Sequence, residues 1–126
     1  MTIGEYGGPG FSHLESGCMA YELCKRDASI GVIVANHNGI GNNVIDACGN
    51  QEQKDRILSQ TINMKKFIGF GLTEPLNGSD ASALKTTAKK VDGGYLLNGE
   101  KKWPGNGTFA DYMIVWARNL DDEGRI

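Results

Sequence analysis

The feature that most constrains this chain is a change of hydrophobic period near Lys66. Before it, apolar residues recur at helical spacing; after it, alternation, glycine turns and β-branched residues take over. A helix cluster followed by a strand cluster implies an α+β chain or two domains. The division falls between a helical part, residues 1–66, and a β part, residues 67–126. Each half, roughly 60 residues, is small for an independent core. The chain therefore reads as a segment of something longer, or as one that needs a partner to bury its apolar faces.

Three helices are expected. Ser12 and Glu15 form a capping box that opens the first, with Phe11, Leu14, Cys18 and Tyr21 on one face and Lys25-Arg26-Asp27 as a solvated end. A second is expected from about Ser29 to Cys48, with Ile33, His37, Ile40, Val44 and Ala47 on one stripe. Gly31, Gly39 and Gly41 weaken it intrinsically, which makes sense if something packs close to its backbone. Asn50 and Gln53 cap a third that runs to about Lys65. Strands follow: Phe67 to Thr73, closed by Pro75; Thr86 to Val91; Tyr95 to Leu97; and a buried strand from Tyr112 to Arg118. Asp92-Gly93-Gly94 reads as a tight turn, and Asn98-Gly99 as a hairpin continued by Glu100 to Trp103.

Charge and composition exclude several classes. Lys and Arg number 13 against 15 Asp and Glu, a net charge of -2, which argues against a nucleic-acid surface. No apolar run approaches the roughly 20 residues that span a bilayer, and Met1-Thr2-Ile3-Gly4-Glu5 does not read as a signal peptide. The 18 glycines follow no period, which excludes collagen and simple repeats. Cys18, Cys24 and Cys48 are odd in number and lack zinc-knuckle or redox spacing, so reduced, packed thiols of an intracellular protein are expected. His13 and His37 stand away from any Cys, Asp or Glu at ligand spacing, and no metal site is expected. A thiol enzyme using one cysteine with a histidine remains a third, minor reading.

Two stretches carry possible chemistry. Gly71-Leu72-Thr73-Glu74-Pro75-Leu76-Asn77-Gly78-Ser79-Asp80 is a strand end freed by Pro75, then a glycine turn flanked by hydroxyls. Free amides and hydroxyls there suit the polar rim of a flat heterocycle or a phosphate oxygen. Spacing alone favours an ordinary β-turn in which Ser79 or Asp80 caps a short helical piece. In the second stretch, Asn98 to Asn106, Trp103 stands beside Pro104 and Gly105, where an indole could stack on a planar ligand or simply serve a core or interface. Gly69-Phe70-Gly71 starts a dinucleotide fingerprint, but Glu74 occupies the place of its third glycine.

Together the two stretches resemble the acyl-CoA dehydrogenase and acyl-CoA oxidase family. The shared order is Leu72-Thr73-Glu74-Pro75, Gly78-Ser79-Asp80, then Asn98-Gly99-Glu100-Lys101-Lys102-Trp103, Asn106 and Ala110-Asp111; Gly49 to Lys54 upstream is similar too. In style the chain is similar to short-chain acyl-CoA oxidases and glutaryl-CoA dehydrogenases. The resemblance implies the end of an N-terminal helical domain followed by the start of a middle antiparallel β-barrel-like domain. It implies FAD as cofactor and oxidation of the α–β bond of an acyl-CoA thioester. Phe70, Gly71, Leu72 and Thr73 would lie along the flavin ring, with the Leu72 amide and Thr73 hydroxyl on its pyrimidine edge. Gly78 and Ser79 would contact the cofactor or the pantetheine arm, Trp103, Pro104 and Gly105 the flavin face, and Asn38 and Gly39 the acyl pocket. A homo-oligomer is implied, with an electron-transfer flavoprotein or oxygen as acceptor, in a mitochondrion, a peroxisome or the bacterial cytoplasm.

Two departures matter. The family commonly has Trp-Ile-Thr-Asn where this chain has Trp103-Pro104-Gly105-Asn106, so the hydroxyl facing the flavin's reactive nitrogen is absent at Gly105. The family's catalytic glutamate lies in a C-terminal domain, so no residue here is assigned as the base, and Glu74 is expected to be structural. The competing reading is a non-catalytic binding or assembly module derived from the same family.

Overall fold

A computed structural model describes residues 4–122. The chain runs through helices α1 (His13–Arg26), α2 (Ala28–Val34), a π-helical turn (Ala35–Asn42), α3 (Asn43–Cys48) and α4 (Gln51–Thr61). Strands β1 (Ile68–Gly71), β2 (Thr87–Val91), β3 (Gly94–Asn98), β4 (Tyr112–Val115) and β5 (Arg118–Asn119) follow. The helix-then-strand order expected from the change of period is the order observed. Among the described residues no helix is long and apolar enough to cross a membrane.

Both expected capping boxes form. The Ser12 hydroxyl accepts from the Glu15 amide at 3.3 Å, and the Glu15 carboxylate accepts from the Ser12 amide at 2.8 Å. Asn50 and Gln53 exchange the same pair of bonds at 2.9 Å each. Asp27 breaks α1 from α2 because its backbone is extended and its carboxylate caps the Ser29 amide at 2.8 Å.

The expected second helix is one helical run, Ala28 to Cys48, whose middle turn winds more widely. Asparagine side chains meet carbonyls along it: Asn36 Nδ2 donates to the Val32 carbonyl at 3.0 Å and Asn43 Nδ2 to that of Gly39 at 2.6 Å. The third helix ends at Thr61, before the expected Lys65. Met64 adopts a left-handed φ of 52°, the Lys65 amide reaches back to the Gln60 carbonyl and the Met64 amide to that of Thr61, both at 3.0 Å. This is a Schellman stop with methionine where glycine is usual.

Helices and strands meet at a polar knot. The Ile68 amide donates to His37 Nδ1 at 3.2 Å, and His37 Nε2 lies 2.8 Å from the Thr61 carbonyl. An amide can only donate and a carbonyl only accept, so Nε2 carries the proton. The Thr61 hydroxyl donates to Asn42 Oδ1 at 2.7 Å. His37, Asn42 and Thr61 are buried with Ile57, Leu58, Ile68 and Leu84.

Strand pairing corrects three expectations. First, of the strand pairs among the described residues β2–β3 is antiparallel, turned at Asp92-Gly93, and an isolated antiparallel bridge joins Phe70 and Gly105, while β1–β4 and β2–β5 are parallel. Their partners are far apart in sequence and return by long crossovers, which permits parallel pairing. Second, Asn98-Gly99 ends β3 without turning a hairpin, and residues 100–103 form no strand. A Cβ on Gly99 would stand 2.6 Å from Thr86 Cα, so this glycine lets two segments pass closely. Third, the Tyr112–Arg118 strand is half-buried and splits, β4 serving the β1 sheet and β5 the β2 sheet.

The helical faces also differ from expectation. Leu14 and Tyr21 are 77% and 66% exposed, so the α1 stripe covers no core among the described residues. Ile40 and Ala47 are likewise exposed, whereas Ile33, His37 and Val44 face inward. The three cysteines are free but exposed rather than packed away.

Candidate functional site

The site begins with backbone pairing beyond the end of β1. The Phe70 amide donates to the Gly105 carbonyl and the Gly105 amide to the Phe70 carbonyl, both at 3.0 Å. The Lys102 amide donates to the Thr73 carbonyl at 2.8 Å. These bonds stitch the Phe70–Thr73 stretch to the Lys102–Gly105 stretch in one wall. Trp103 stands between the two stitches with a left-handed φ of 56°; its indole is 79% exposed and the Lys102 ammonium lies 5.1 Å from the ring centroid. Asn106, also left-handed, donates to the carbonyls of Ile33 and Ile68 at 3.2 Å each, tying the wall to α2.

The Leu72 and Thr73 amides and the Thr73 hydroxyl have no partner among the described residues. Both residues are half-buried. Nearby, the buried Trp116 Nε1 is also unpartnered, and the Trp116 ring packs at 6.5 Å against Phe70. Partly buried donors without acceptors are costly unless a ligand or further protein meets them. Several donors beside an exposed indole fit an acceptor-rich planar heterocycle.

Glu74 anchors the end of this wall. Its carboxylate, 5% exposed, accepts from the Lys85 amide at 2.5 Å, the Thr86 amide at 2.8 Å, the Thr86 hydroxyl at 2.6 Å and Lys101 Nζ at 2.8 Å. Burial by itself pushes this carboxyl up; the bonds from Lys101, Thr86 and the two amides outweigh burial and hold it far below the usual carboxylate range. Lys101 also donates to the Leu72 carbonyl at 2.9 Å. Glu74 is therefore a brace with its oxygens committed, which suits a structural role rather than that of a base.

The other sequence-derived candidates lie apart. Gly78 and Ser79 are exposed in the loop after Pro75, which Asn77 pins through its bond to the Ala83 carbonyl at 2.9 Å. Asp80 gives no side-chain cap to the short turn Ala81–Ala83; its carboxylate takes the Ser82 hydroxyl instead. Asn38 and Gly39 line a cavity of about 510 Å³ together with Phe11, Met19, Leu23 and Ile62, between α1 and the π turn. They do not join the wall. Three contributors went unrecognised in sequence: Lys101, Trp116 and Asn36, whose carboxamide lies against Gly105. Only the two-residue spacing of Lys101 before Trp103 hinted at the first; burial and long-range contact define the others.

The chain is similar to known proteins along nearly its whole length. Residues 1–65 match the acyl-CoA dehydrogenase N-terminal domain, and residues 69–126 its middle domain. An acyl-CoA dehydrogenase of Bacillus subtilis is 40% identical over 121 residues, covering 96% of this chain and 32% of that protein. Among solved structures, an acyl-CoA dehydrogenase complexed with FAD from Bacillus anthracis superposes with a TM-score of 0.86 at 38% identity, covering 98% of this chain and 21% of that one. Glutaryl-CoA dehydrogenase from Mycobacterium smegmatis does so at 0.87 and 36%, covering 91% and 30%. The chain thus spans about a third or less of the relatives it matches. With both domain types matched in order across nearly its whole length, the chain belongs to the acyl-CoA dehydrogenase family.

Proposed function

We propose that this chain forms the flavin-facing wall of an FAD-dependent enzyme that oxidises the α–β bond of an acyl-CoA thioester. One observation carries this reading: the pairing of Phe70 with Gly105 and of Lys102 with Thr73 leaves the Leu72 and Thr73 donors free beside Trp103. Bound FAD supplies the hydride acceptor. The Leu72 amide and Thr73 hydroxyl would hold its pyrimidine edge and favour negative charge arriving there. Phe70, Gly71, Pro104 and Gly105 would line the ring, and Trp103 would stack on it. Gly78 and Ser79 would reach the cofactor or the pantetheine arm from their exposed loop. Asn38 and Gly39, on the far side of the π turn, would border the acyl pocket only from that cavity. The base would come from protein beyond these residues, since Glu74 is held as an ion by four donors.

In this reading residues 1–66 close the helical domain and residues 67–126 open the middle domain. A homo-oligomer and an acceptor, either an electron-transfer flavoprotein or oxygen, complete the assignment. A non-catalytic assembly module is favoured by a different observation, the exposed apolar side chains Leu14, Tyr21, Tyr95 and Leu96. Thr73→Val and Trp103→Ala in the complete protein separate the two. The enzyme reading expects lower flavin occupancy or slower flavin reduction. Weakened association with flavin occupancy and reduction unaltered would favour the module.

A further inference from the structure

We infer that Asn36 is a positioning residue of the flavin wall, its carboxamide occupying the space a side chain at position 105 would fill. A Cβ built on Gly105 would stand 2.6 Å from Asn36 Cγ and 3.1 Å from Asn36 Nδ2, well inside van der Waals contact. The Gly105 backbone cannot easily move to relieve the overlap. Gly105 is bonded in both directions to Phe70, and its neighbour Asn106 is tied to Ile33 and Ile68. On the other side, relief requires the Asn36 carboxamide to turn, against its bond to the Val32 carbonyl at 3.0 Å.

The orientation of the amide is defined as well. Asn36 Nδ2 donates to the Val32 carbonyl at 3.0 Å, so that end must be the nitrogen, and Oδ1 points at Gly105. The half-buried side chain retains an acceptor oxygen and a second N–H beside the wall. Positions 36 and 105 are therefore a reciprocal pair: a side chain at 105 must displace the Asn36 carboxamide from its bond to Val32, or meet a smaller residue at 36. Because the amide is neutral, its influence does not vary with pH across the ordinary range.

This inference rests on the flavin reading. Its test uses the complete protein as purified, comparing wild type with Asn36→Ala, Gly105→Ser and the double variant. FAD affinity, the flavin's visible band and its midpoint potential are measured beside the melting temperature. Gly105→Ser alone is expected to weaken FAD by about tenfold or more, and Asn36→Ala in the same chain to restore most of that loss. Asn36→Ala alone is expected to shift the band and the potential while the melting temperature stays near wild type. If Gly105→Ser does not fold, that spectral shift and its reversal by Asn36→Gln decide. Independent, multiplicative effects, or an Asn36→Ala band and potential equal to wild type, overturn the inference alone. A folded wild type that binds no flavin overturns both this and the reading beneath it.

Discussion

At the residue scale, Glu74 shows how a charged group can brace a site without taking part in its chemistry. Its folded carboxyl titrates well below the unfolded value, so the ionised form stabilises the fold. That contribution is complete above the ordinary glutamate range, about pH 4.3, and declines as pH falls below it. Glu74→Gln removes the ion pair with Lys101 and weakens the bonds from Thr86 and Lys85. It is expected to destabilise by about 1–3 kcal/mol near neutrality and to flatten the acid limb of stability. Urea midpoints across pH measure both; a variant as stable as wild type at pH 7 would contradict the brace. Met64 offers the opposite case. Its left-handed φ costs roughly 1 kcal/mol that glycine avoids, so Met64→Gly is expected to raise the melting temperature. A lowered one would mean that the methionine side chain contributes more than its backbone strain costs.

At the element scale, what was legible is what short-range chemistry determines. Ser12–Glu15 and Asn50–Gln53 announce their helix starts because both partners of each cap lie three residues apart. The Asp92-Gly93 turn is readable for the same reason, and so is the change from helix to strand. What escaped depends on contacts distant in sequence. Asn98-Gly99 has the local form of a hairpin, yet its glycine serves the passage of Thr86. Gly99→Ala is therefore expected to distort the β2 start and lower the unfolding midpoint by more than an exposed loop substitution would. An unchanged midpoint would contradict the close passage. The π turn was hidden because its periodicity differs from an α-helix by a single residue, and the bond it carries from the Ile68 amide to His37 joins residues 31 positions apart. His37 illustrates the knot in its own right: His37→Ala leaves the Ile68 amide buried without its acceptor and is expected to cost about 1–3 kcal/mol.

At the scale of the whole molecule, parts of the two motifs that carried the family resemblance, Leu72–Glu74 and Lys101–Asn106, form a single surface. Nothing in their spacing requires this, since 29 residues separate Lys101 from Leu72, which it nonetheless contacts. The wall is built by crossovers: β4 returns parallel to β1, and the Gly105 segment pairs with Phe70 on the other side. Free donors and an exposed indole are left facing outward, and so are the apolar faces of α1 and β3. A chain with this much unmatched surface is expected to hold FAD weakly by itself. The most direct measurement is the visible absorbance of the complete protein during anaerobic titration with an acyl-CoA. FAD is expected in stoichiometric amount, bleached by the thioester and largely lost in Thr73→Val/Trp103→Ala. A folded protein without flavin, or with flavin that no acyl-CoA reduces, would contradict the flavin reading.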